Sequence, residues 1–242
     1  MKNILNFILI LAFSVVLGIT FDINPIVAVF ASFTVAVVAG LVTQHNQFAG
    51  DAFALVCGAI SGDILANCPT PMIAGLRKRA VIINLEDIAT VDVNATNPLL
   101  IEDLTLVTGK TAYEINGREN TITATTTLLQ PSELHDHVVT AMGFDISPAT
   151  KANIQGMISG RFVIIVENVH KGTGSDAFEI YGLDAGLKLM ELTRDAVNVE
   201  TQGAFAFNFR SNDVSKERFI PRTFYDGTSY ASTKAIVDAL LV

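Results

Sequence analysis

Two cysteines are all that the 242 residues contain, and Cys57 and Cys68 show neither CxxC spacing nor a partner histidine. They give no metal or redox motif and read as reduced, small apolar residues. No G-x-S-x-G elbow marks a serine nucleophile. Gly172-Thr173-Gly174-Ser175 lacks the GK[ST] ending of a phosphate loop and lies between two apolar segments rather than before a helix, so it reads as a hairpin loop. Basic charge is also short. The formal net charge is −8, with 16 Lys or Arg against 24 Asp or Glu. Lys2 is the one basic residue before Asn67, and Asp22, Asp51 and Asp63 are the acidic ones, which leaves 15 basic against 21 acidic residues beyond that point. Nucleic-acid affinity built on phosphate contacts is disfavoured by that balance. The one basic cluster, "RKR" at Arg77, Lys78 and Arg79, reads as a solvated or membrane-flanking patch.

What the chain does have, at its start, is apolar length. Residues 4–21 and 26–42 are uncharged apart from Asp22 between them, and each run is about long enough to cross a hydrocarbon core as a helix. Asn24-Pro25 breaks the two. The expectation is a hydrophobic helical hairpin over residues 1–45 and an apolar linker over 46–67. Three fates fit the hairpin. Inserted in a membrane through residues 4–42, it leaves both ends on one side, and Lys2 with the cluster at 77–79 puts the folded part in the cytoplasm of a bacterial cell. Read as a signal peptide, it has a minimal charged start but no A-x-A site at the expected distance. In an assembly, the same runs bury their apolar surface against other copies.

Beyond residue 79 the hydrophobic period shortens. "AVIINL", "IEDLTLV", "TAYEIN", "TITATTTLL", "HVVTAMGFDI", "RFVIIVENV", "AFEIYGL", "LKLMEL" and "GAFAFNFRS" are short, rich in β-branched or aromatic residues, and separated by Gly, Asn, Asp or Pro. That spacing predicts a mainly β domain over residues 68–242, a β-sandwich or barrel with one or two short helices. Gly109-Lys110 reads as a turn, and Asn116-Gly117 as the turn of a hairpin between "AYEI" and the threonine-rich strand. Ser147-Pro148 opens a helix over 149–158. Thr228 or Ser229 caps a closing helix whose Ile236, Val237, Leu240 and Leu241 share one face. In "GAFAFNFRS", Phe205, Phe207 and Phe209 fall on one side of a strand and are expected to enter the core, leaving the backbone edge for assembly.

His135-Asp136-His137 is the one cluster with a metal-binding look, because residues two apart on a strand share a face. His135 and His137 are only weak metal candidates: zinc needs three or four protein ligands and no third is specified. Two exposed histidines at the mouth of a strand are expected instead. Glu86-Asp87 and Glu102-Asp103 read as solvated charge, and nothing in their spacing selects an acid–base pair. No catalytic residue and no cofactor is expected.

In order along the chain, "CPTPMIAGLRKRAVIINLEDIA", "GKTAYEINGREN", "GRFVIIVENVHKGTGSDAFEIYGLDAGLKLMELTRDA", "GAFAFNFRSND" and "PRTFYDGTSYASTKAIVDALL" resemble virion structural proteins of phages and prophages of Bacteroidetes-type bacteria, in particular tail-tube-like subunits. The resemblance covers about residues 68–242, and its landmarks include a Cys-Pro entry, a glycine-punctuated "YGLDAGL" hairpin and a strand beginning "GAFAF". It implies a non-enzymatic module of the virion tail that forms rings with copies of itself, contacts other virion proteins and lets DNA pass without tight binding. The hydrophobic start departs from a simple soluble tube subunit. The runner-up is a membrane-anchored β-domain serving as a scaffold or envelope-binding module at the bacterial inner membrane.

Overall fold

The computed structural model describes residues 63–64, 71–211 and 215–242. The chain divides into Met1–Ala59 and Ile60–Val242, and every described residue belongs to the second unit. The expected hairpin, and the linker apart from Asp63 and Ile64, lie outside the described residues. No helix among the described residues is long and apolar enough to cross a membrane.

The second unit is mainly β, with two short helices. In chain order it runs β1 (Leu76–Asn84), a 3-10 turn (Leu85–Asp87), β2 (Ile88–Val93), β3 (Leu100–Leu106), β4 (Tyr113–Asn116), β5 (Thr123–Leu129), β6 (Leu134–Gly143), α1 (Pro148–Met157), β7 (Phe162–Asn168), β8 (Phe178–Tyr181), β9 (Leu187–Arg194), β10 (Phe205–Ser211), β11 (Arg222–Phe224) and α2 (Tyr230–Ala239). All nine apolar segments form strands. β2 and β11 are additional: "IATVDV" carries Asp92 in mid-run, and β11 has three residues, too few to show a period. Ser147 Oγ accepts from Thr150 N at 3.2 Å, and Ser229 Oγ accepts from Ser232 N at 3.1 Å. Both helices therefore start where a hydroxyl satisfies a first-turn donor.

The strands belong to one mixed, hydrogen-bonded sheet, antiparallel except where β11 meets β3. Its middle is the pair β1–β7, with Ala80 opposite Val166 and Asn84 opposite Phe162. β1 occupies one edge of β7, so β8 and β9 share the other: Tyr181 faces Ile164 and Leu187 faces Phe162. Both run antiparallel to β7 and hence in the same direction. "YGLDAGL" is therefore not a hairpin but a sideways jog in one continuing run. Gly182 and Gly186 sit there at φ +78°, a conformation that a Cβ strains. A Cβ on Gly182 would also stand 2.6 Å from Leu187 Cγ and 2.9 Å from the Phe162 carbonyl oxygen. The jog splits the sheet into two wings, β8-β11-β3-β2 and β9-β10-β6-β5.

Each wing encloses a core on one face of β1–β7. Ala80, Ile82, Phe162, Ile164 and Val166 point into the first core, with Val139 and Ala141 of β6 and Phe207 and Phe209 of β10. Val81, Ile83, Val163 and Ile165 point into the second, which α2 covers with Val237 and Leu240 while Ile236 and Leu241 pack at its margin. Burial on both faces explains why "AVII" and "FVIIV" are continuous apolar runs rather than alternating ones.

Asn116-Gly117 also departs from expectation. β4 pairs with β1 and β5 with β6, and Gly117 N donates to the Lys78 carbonyl at 2.7 Å. The apolar Ile115 is held against the first core by β1, so the chain leaves β4 to join another part of the sheet instead of folding back on it. The loop 172–175 does connect the antiparallel strands β7 and β8.

Phe209 is fully buried, Phe207 is 4% exposed, and Phe205 packs partly buried against the same core. Phe209→Ala should cost about 3–5 kcal/mol in denaturant unfolding. Phe207→Asp, which buries an unpaired carboxylate, should leave no cooperative transition at all. Gly182→Ala should lose at least ~1 kcal/mol from the jog alone, read from the same denaturation midpoint.

Candidate functional site

The His-Asp-His sequence lies in β6 where that strand leaves β10. Its backbone is fixed on both sides: Leu128 of β5 faces His135, and across the other edge His135 and Glu217 exchange backbone hydrogen bonds of 2.8 and 3.0 Å. The side chains are not the exposed pair expected from the sequence. His137 is 2% exposed, and Asp136 and Glu217 are as deeply buried. Packing buries them, because β5 pairs along one edge of this part of β6 and the segment 215–222 crosses the other.

Burial makes each of these groups depend on named partners. Burial alone would push the Asp136 carboxyl up, but Arg210 at 2.5 Å and Lys216 at 3.1 Å outweigh it and hold the group below the ordinary aspartate range. Glu217 is held above the ordinary glutamate range, chiefly by burial. Its two carboxylate oxygens accept from Asp184 N and Ala185 N, each at 2.9 Å, and so tie the segment 215–222 to the β8–β9 jog. Asp184 returns the contact by accepting from Arg222 Nη2 at 2.6 Å.

His137 Nδ1 accepts from Gly182 N at 3.3 Å, which puts the proton of the neutral ring on Nε2. Burial lowers its pKa to about 4, and the Phe219 backbone offsets part of that shift. The ring stands edge-on to Tyr181, with centroids 5.4 Å apart. His135 Nδ1 finds no hydrogen-bond partner among the described residues. No group of three or more His, Cys, Asp or Glu among the described residues is arranged to hold a metal.

The cluster can therefore position backbone. His137 and Glu217 accept the donors of the jog, Asp136 gathers the two cations, and Ser211 Oγ accepts from His137 N at 3.1 Å. The sequence showed the two histidines but not Glu217, which lies more than seventy residues away and has no local pattern. Glu86 is exposed, as expected, but Asp87 is buried rather than solvated: it accepts from Asn84 Nδ2 at 2.7 Å and pairs with Lys110 at 3.0 Å. Glu102 accepts from Asn94 Nδ2 at 2.5 Å.

Strand edges are among the accessible features. β2 and β5 end the sheet, and β4 pairs with β1 alone, so each has one free edge among the described residues. Thr123, Thr125, Thr126, Thr127 and Leu128 of β5 are exposed. Beside the start of β5 lies a cleft of about 1050 Å³, lined in part by Ile122, Ala124, Tyr181 and the exposed Met72 and Ile73.

His137 also sets a pH dependence. Its folded pKa of about 4 is below the ordinary 6.5, so the unfolded chain binds the proton more readily between those values. Its stabilising contribution is complete above pH 6.5 and falls away as pH drops through about 4. Unfolding free energy measured by denaturant across that window should fall more steeply for the natural chain than for His137→Gln. Equal slopes would show that His137 does not titrate as a buried neutral ring. Comparison with family models, curated proteins and solved structures finds no match for this chain.

Proposed function

We propose that the chain is a structural protein of a phage or prophage virion, a tail-tube-like subunit that assembles with copies of itself and with other virion proteins in rings around a DNA channel. One observation carries the reading: a single sheet runs through the whole described unit and stops at both ends, β2 and β5, on strands that have one unpaired edge among the described residues. Such edges present rows of unpaired N–H and C=O groups that another strand can satisfy. The buried charged groups, by contrast, are engaged in holding the fold.

The two wings facing β1–β7 fit a sandwich-like or barrel-like module, the form the sequence resemblance implies for such subunits. In this reading the chain is structural rather than catalytic, needs no cofactor and resides in the virion tail. The acidic balance suits a channel wall, because DNA gains no counterion-release affinity from carboxylates. The ordered segments quoted for the resemblance support the same assignment.

The test is assembly of the full-length protein. At rising concentration, light scattering should show growing oligomers and negative-stain microscopy should show rings or short tubes. Duplex DNA should bind more weakly than about 100 µM at physiological salt. A strictly monomeric protein at high concentration, or tight DNA binding, would remove the tube reading.

A further inference from the structure

The free edges differ in how well they are guarded, and the difference singles out one. Proteins protect exposed edges with charge, proline, bulges or shortness. β2 carries Asp92, and its register against β3 shifts twice, between Ile88 and Thr90 and between Asp92 and Val93. β4 is four residues long and carries Glu114. β5, "TATTTLL", has none of these devices. Its seven residues pair with β6 in unbroken register, from Thr123 opposite Thr140 to Leu129 opposite Leu134.

We infer that the free edge of β5 is a two-fold contact, on which β5 of a second copy of this chain pairs antiparallel about Thr126. A two-fold axis places a strand against itself, so any charged residue near the axis meets its own charge, and like charges directly opposite are destabilising. Of the three free-edged strands, β5 alone is uncharged.

The register about Thr126 also satisfies the side chains. Thr125 lies opposite Thr127 of the second copy, a pairing of hydroxyls that suits adjacent strands. Ala124 lies opposite Leu128. Both are on the face that includes buried Ile122, and Leu128 is 51% exposed in the single chain. The contact brings each Leu128 beside the cleft margin at Ala124 of the other copy. The contact goes beyond the ring reading: in a ring assembly it joins two rings across a two-fold axis rather than neighbours within one ring.

The axis makes the test direct, since a cysteine at the central position faces its own copy at a separation a disulfide can span. The full-length chain carrying Cys57→Ser, Cys68→Ser and Thr126→Cys should give a disulfide-linked dimer under mild oxidation. Val93→Cys at the β2 edge, in the same background, should give far less. Adding Thr125→Lys and Thr127→Lys should reduce the Thr126→Cys dimer about tenfold, with an unchanged circular dichroism spectrum showing that the fold persists. A Thr126→Cys dimer no more abundant than the Val93→Cys control overturns the contact. So does a disulfide that forms only between Thr126→Cys and Val93→Cys copies, because β5 then pairs with β2. Rings without the Thr126 disulfide would leave the assembly reading standing and overturn this contact. The disulfide without rings would do the reverse.

Discussion

The burial of β7 on both faces and along both edges is the constraint from which the rest of the unit follows. Phe162, Ile164 and Val166 face one core, Val163 and Ile165 the other, while β1 takes one edge and β8 followed by β9 takes the second. A strand used in this way cannot be covered by one flat layer. The chain meets the demand by shifting sideways at Gly182–Gly186, so that β8 leads into one wing and β9 into the other. Each wing then closes over its own side of β7, with α2 completing the second.

The jog has a cost, because it takes backbone N–H groups out of ladder pairing inside a packed region, where an unmet donor costs about 1–3 kcal/mol. His137 and Glu217 meet that cost by accepting from Gly182, Asp184 and Ala185. The buried polar cluster thus follows from the topology of β7. It also sets a histidine held neutral beside a glutamate held above its ordinary range, with the acceptor atoms of both facing backbone donors.

In the proposed reading, the strand edges carry the function. Most buried charged groups are engaged within the fold, and among the described residues the strands that end the sheet, β2 and β5, each keep one unpaired edge. β2 is bulged and charged, whereas β5 is regular, neutral and threonine-rich.

The sequence by itself determined the β class, the nine apolar strands and both helix starts, because alternation, turn residues and hydroxyl caps act over a few residues. It also made β1 and β7 visible as unbroken apolar runs and placed Phe205, Phe207 and Phe209 on one side of β10. Tertiary structure decided which strands pair. Asn116-Gly117 has the local chemistry of a hairpin turn, yet β4 goes to β1, and "YGLDAGL" has the glycines of a reversal yet continues forward. His135 and His137 were legible as a pair, but not the burial of His137, nor Glu217 across the gap in sequence. Turn propensity acts locally and weakly, whereas strand partners are chosen by which apolar faces can be buried together, and that choice depends on residues far apart in the chain.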